Sequence, residues 1–92
     1  MTETLTKSVT ICNKKGLHAR ASAALAKEAL KHKAQIKVTH EGEEASGIAV
    51  MDLLMLTAYK GCVVEVHSKG EDAEIALDAI VELIENRFGE SE

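Results

Sequence analysis

The sequence contains no proline and only two aromatic residues, Tyr59 and Phe88. So few rings leave no platform on which unpaired bases could stack, which argues against an RNA-recognition module. The two cysteines, Cys12 and Cys62, lie far apart and form no CxxC, so neither a disulfide framework nor a zinc finger is indicated. An uncharged apolar run such as Leu53 to Tyr59 falls well short of the ~20 residues of a membrane span, and the start MTETLTKSV lacks the apolar centre of a signal peptide. A cytoplasmic protein without membrane insertion, metal or cofactor is expected.

What is present is ordinary for a globular chain: 92 residues, 46% hydrophobic and 28% charged. That length suits one domain over 1–92 with a core of its own. The net charge of −4 conceals an asymmetry. Residues 1–37 hold eight Lys/Arg against Glu3 and Glu28, whereas residues 38–92 hold three against thirteen acids. A basic half attracts anionic ligands or acidic partners and raises association rates. The acidic total argues against nucleic acid as the partner.

From Leu5 to Ile11 apolar and hydroxyl residues alternate, the period of a strand. Asn13-Lys14-Lys15-Gly16 then reads as a turn, and Ala19 to Lys31 is dense in helix formers, with Ala19, Ala23, Ala26 and Leu30 predicted as the buried stripe. Ala34, Ile36 and Val38 alternate again, a turn falls at His40 to Glu43, and a short strand is expected near Glu44 to Ser46. Beyond Gly47, Ile48 to Ala58 favours a second helix, and Cys62, Val64 and Val66 mark the inner face of a fourth strand. Glu71-Asp72 suits a helix N-terminus, after which Ala73, Leu77, Ile80, Ile84 and Phe88 run at helical spacing to Gly89. The order β-α-β-β-α-β-α suits an α+β fold, with one antiparallel sheet carrying its helices on one face.

The chemically informative stretch is Gly16-Leu17-His18-Ala19-Arg20, which sets a histidine and an arginine where a glycine turn enters a helix. The backbone N–H groups of such a terminus, here those of Ala19 and Arg20, are ready donors to a phosphate, and its partial positive charge favours an anion. Arg20 adds a planar fork that matches phosphate oxygens. The same positive end favours the neutral imidazole of His18, whose free ring nitrogen can accept a phosphoryl group. No acidic residue lies near His18 in sequence and no serine or cysteine is placed as a hydrolase nucleophile, so hydrolysis is poorly supported. His32 at the end of the first helix, His40 in a turn and His67 facing outward on a strand have no metal-ligand spacing.

Gly16-Leu17-His18-Ala19-Arg20 after a first strand resembles the active-site motif of HPr, the histidine-containing phosphocarrier of the phosphoenolpyruvate-dependent phosphotransferase system. The resemblance extends to the element order, the Leu53-Leu54-Met55-Leu56 segment, the Lys60-Gly61 turn into a strand and the acidic start of the last helix. It implies an open-faced β-sandwich of four antiparallel strands with three helices on one side. It also implies that His18 takes phosphate on Nδ1 from phosphorylated Enzyme I and passes it to an EIIA domain, with Arg20 stabilising the group. Such a chain is a carrier and not an enzyme in its own right, and is expected to act as a monomer.

The resemblance places partner docking at Leu17, Lys27, Val50, Met51 and Leu54. Two residues depart from the family pattern. Ala21 stands where many members carry proline, with little expected effect on the chemistry. Ala49 aligns with a serine that a regulatory kinase phosphorylates in some relatives, so that switch is expected to be absent; Ser46 falls three residues early to replace it. Lacking the serine is compatible with the nitrogen-related branch of the family. The rival reading is a ferredoxin-like regulatory module that holds a small anion at the same helix terminus without a covalent bond.

Overall fold

The structure, a computed structural model, describes residues 3–92. The strands are β1 (Thr4–Thr10), β2 (Gln35–His40), β3 (Glu43–Ser46) and β4 (Val63–Lys69), and the helices are α1 (Ala19–Ala29), α2 (Val50–Met55) and α3 (Ala73–Glu85), followed by a 3-10 turn over Arg87–Gly89. The strands form one antiparallel sheet in the order β1-β4-β2-β3. Element order and sheet are those expected.

Alternation explains which side of the sheet is covered. Val9 pairs with Val64 and Val38 with Val66, and all four are buried with Ile36 and Ala45 beneath the helices. Thr6, Ser8, Lys37, Val63 and Glu65 point to the opposite face and are exposed. From the helical side Leu25, Leu53, Ile80 and Ile84 complete the core, each almost wholly removed from water. Every such side chain contributes roughly 1.5–3 kcal/mol of hydrophobic stabilisation.

Four local expectations are corrected. On α1 the buried face is Ala21, Ser22, Leu25, Ala26 and Ala29, whereas Ala19, Ala23 and Leu30 are exposed. The helix turns its one large interior residue, Leu25, into the core, because burying it removes far more apolar area than burying any alanine. α2 is shorter than the apolar run that suggested it: it begins after Ala49, and Thr57 takes a positive φ of 50° just beyond its end. α3 stops at Glu85, and Phe88 is buried by another route, with Arg87 and Phe88 both in left-handed conformations at φ 58° and 55°. Finally, His40 ends β2 rather than occupying a turn, and its buried ring hydrogen-bonds through Nδ1 to the Leu56 carbonyl at 2.9 Å.

His32 lies just past the end of α1, where its ring meets Glu28 at 3.0 Å and Asp72 at 3.6 Å and so ties the end of α1 to the start of α3. Glu28 is held below the ordinary carboxylate range mainly by the hydrogen bond from His32, which outweighs its partial burial. Asp72 is held low chiefly by the backbone N–H of Lys33, helped by that of Ala34. No helix of the described residues is long and apolar enough to cross a membrane.

Candidate functional site

The site is built on the passage from β1 to α1. Beyond β1, the Ile11 N–H donates to the Cys62 carbonyl, and Ile11 in turn accepts from Gly61 N–H. The chain then turns at Asn13 to Gly16 and runs against the Ala58-Tyr59 backbone, where the Leu17 N–H donates to the Ala58 carbonyl at 2.9 Å. This close approach explains Gly16. Its φ is +67°, and a Cβ there would lie 2.5 Å from the Ala58 oxygen and 2.8 Å from Tyr59 Cα. Asn13 closes the turn from within: it is wholly buried, and its side-chain amide donates to the Gly16 carbonyl at 2.8 Å.

His18 follows as the N-cap of α1, with extended backbone at φ −82° and ψ −175°. Its carbonyl accepts the Ser22 N–H at 2.8 Å, and its Nδ1 accepts the Arg20 N–H at 3.3 Å. A nitrogen that accepts that bond carries a lone pair, so the ring proton belongs on Nε2. Nε2 lies 2.6 Å from Glu90 Oε2. The His18 side chain keeps 26% of its surface exposed and Glu90 15%.

Glu90 was invisible to sequence reasoning: it stands 72 positions away, so the absence of an acid near His18 in sequence does not hold in space. Three packing events bring it there. Phe88 plugs into the core, the turn bond from Glu90 N–H to the Arg87 carbonyl reverses the chain, and Lys14 N–H holds the Glu92 carbonyl at 2.8 Å. The second carboxylate oxygen of Glu90 accepts from Asn13 Nδ2 at 3.0 Å. Burial alone would push the Glu90 carboxyl up; the hydrogen bonds from Asn13 and His18 and the charges of His18 and Arg20 outweigh it and hold the carboxyl below its ordinary range. The single side-chain oxygen of Asn13, Oδ1, is buried without a hydrogen-bond partner among the described residues.

A partly open imidazole with a lone pair on Nδ1, at the amide-rich start of a helix and two residues from an exposed guanidinium, is equipped to engage a phosphoryl group. A family model described as "PTS HPr component phosphorylation site" matches residues 5–86. The chain belongs to the HPr family. The phosphocarrier protein HPr of Cupriavidus necator is 42% identical over 88 residues, spanning 96% of this chain and 99% of that protein. The phosphocarrier protein NPr of Shewanella violacea is 44% identical over 87 residues, spanning 95% of this chain and 96% of its own. Among solved structures, HPr from Thermoanaerobacter tengcongensis superposes with a TM-score of 0.90 at 35% identity, covering 96% of this chain and 99% of that one. HPr-family proteins are phosphocarriers of the phosphotransferase system, and relatives named HPr and NPr, the latter the nitrogen-related branch, stand at similar identity to this chain.

The remaining positions named by the resemblance divide in two. Leu17 is only 5% exposed: its backbone is stapled to Ala58 and it belongs to the core cluster. Lys27 is exposed in the last turn of α1, Val50 and Leu54 are half-buried, and Met51 is 70% exposed. Exposed Ile48 and Met55, which the sequence reading had not singled out as docking residues, extend this apolar surface along α2. Ala49 is the N-cap of α2 and makes no side-chain cap bond. Ser46 ends β3, with its hydroxyl 3.4 Å from the Ile48 N–H.

Proposed function

We propose that this HPr-family chain accepts a phosphoryl group on His18 Nδ1 from phosphorylated Enzyme I and surrenders it to an EIIA domain, as a carrier with no turnover of its own. The observation that carries the reading is the state of Nδ1: its lone pair is occupied only by a long 3.3 Å bond from Arg20 N–H, on a ring that solvent and partners can reach. Transfer between two histidines demands little covalent work from the protein, so positioning and charge stabilisation dominate. The Ala19 and Arg20 amides and the Arg20 guanidinium supply donors for the transferred oxygens, and the helix terminus favours their charge.

Lys27, Val50, Met51 and Leu54 form the docking surface in this reading, with the whole chain working as one domain and as a monomer in the cytoplasm. An encounter of this kind is small and brief, as a shuttling protein requires. With alanine at position 49, no kinase can phosphorylate the start of α2 there, so control by that route is absent.

Incubation with Enzyme I and phosphoenolpyruvate, followed by mass spectrometry under neutral conditions, tests the reading. One acid-labile phosphate is expected on the chain and none on His18→Ala, whose fold stays intact. An unmodified wild-type chain would refute the carrier and favour an anion-binding regulatory module.

A further inference from the structure

We infer that Glu90 is a positioning residue for phosphoryl transfer: its carboxylate accepts the Nε2 proton of His18 in a hydrogen bond and so locks the ring in the tautomer that leaves Nδ1 free to attack phosphorus. The inference rests on the carrier reading above for its chemical consequence, but its geometry stands independently. Three features of the contact are those of a built clamp. The Nε2 to Oε2 separation is 2.6 Å, at the short extreme of hydrogen-bond distances, where bonds to an ionised acceptor lie. The other oxygen is fixed by Asn13, itself wholly buried and bonded to Gly16, so the carboxylate cannot rotate away without breaking a second bond. The tail on either side is pinned, by Glu90 N–H to Arg87 and by Lys14 to Glu92. Depression of the Glu90 carboxyl below its ordinary range keeps it ionised at neutral pH.

The chemical consequence follows from charge. The Nδ1 lone pair of His18 attacks the phosphorus of the donor's phosphohistidine, the donor's N–P bond breaks with its electron pair returning to the donor ring, and a new N–P bond forms on His18. The Nε2 proton stays where it is, so positive charge grows on the His18 ring as the bond forms. Glu90 is the anion placed to meet that charge, with its dipole already oriented before the donor arrives. A tail acid that merely clasped the C-terminus would have no need to address a ring nitrogen, and Lys14 with Glu92 already supplies such a clasp.

Nitrogen NMR of the full chain labelled in its histidine rings reads the tautomer directly, and the rate of phosphorylation by Enzyme I reads the consequence. In the wild-type chain at a pH where His18 is neutral, Nε2 is expected to carry the proton almost exclusively. Glu90→Ala should mix the two tautomers and slow phosphorylation by about ten- to a hundredfold, the scale of one hydrogen bond to a charged group. Glu90→Gln, which keeps an acceptor oxygen but no charge, should restore most of the tautomer and only part of the rate. Unchanged tautomer populations in Glu90→Ala would overturn the inference whatever the rate does. If the wild-type chain takes up no phosphate, the carrier reading fails, while the tautomer comparison still decides whether Glu90 holds the ring.

Discussion

Replacing Gly16 by alanine tests whether the turn before His18 is shaped by close packing or only by backbone preference. Gly42 is the internal control: it has a similar left-handed φ, +85° against +67°, but a Cβ there meets nothing within 4 Å. Gly42→Ala should therefore cost only the left-handed penalty of about 1–2 kcal/mol. At Gly16 the same penalty applies, and the added methyl also lies 2.5 Å from the Ala58 carbonyl oxygen, which already accepts the Leu17 N–H. Relief requires moving backbone rather than a flexible side chain, costing about 1–3 kcal/mol as overpacking and about 1 kcal/mol more if the Leu17 bond is lost. The expected excess of Gly16→Ala over Gly42→Ala is thus about 1–4 kcal/mol, with about 2 kcal/mol corresponding to a further ~8–16 °C in Tm at about 4–8 °C per kcal/mol for a chain of this size. Urea titration of both variants at neutral pH measures it. Equal losses, within ~0.5 kcal/mol, would refute the packing argument.

Two further outcomes are expected. Leu53→Ala should lower stability by about 2–5 kcal/mol, whereas Met51→Ala, one turn of the same helix but exposed, should stay within ~0.5 kcal/mol while weakening the complex with Enzyme I; calorimetry on both variants and titration of the partner check the contrast. Because Glu28, Asp72 and Glu90 have folded-state pKa values below ordinary ones, the folded chain binds fewer protons than the unfolded chain at low pH. Their contribution is complete above the ordinary values of 4.5 for Glu and 3.8 for Asp, and is lost as pH falls below these and through the depressed folded values. Urea midpoints measured at neutral pH and at successive acidic values should fall over that window and fall less in the Glu28→Gln, Glu90→Gln double variant; identical slopes would count against the assigned bonds.

The strands and α3 were legible because their signal is carried by large residues at a fixed period: Ile36 and Val38, Val64 and Val66, Leu77, Ile80 and Ile84 all lie where alternation or helical spacing puts them. α1 was legible as a helix but not in its rotation. An alanine-rich helix offers little contrast between faces, and the informative residue was Leu25, which the alanine stripe had left out. The apolar run from Ile48 to Ala58 misled on length because apolar content does not mark where a helix ends: Ile48 lies before the N-cap Ala49, and Thr57 leaves the helical conformation at φ 50°. That His18 and Arg20 share the start of α1 was legible because a helix start is a local property of the chain. Glu90 and Asn13 were not, because their roles arise only when the last turn folds back across the first; the one hint, a buried-looking Phe88 with the acids of the C-terminal tail just beyond it, does not say which acid returns or to what.

The cap on α1 is made by the same atom that a phosphoryl group would claim. A lone pair cannot serve a backbone amide and a phosphorus atom at once, so modification at Nδ1 would free the Arg20 N–H and present it with phosphate oxygens in place of the ring. The forfeited bond is a long one and costs little to give up. Amide-exchange protection at Arg20 then becomes a built-in gauge of loading, separating charged from discharged molecules without any tag on the histidine itself.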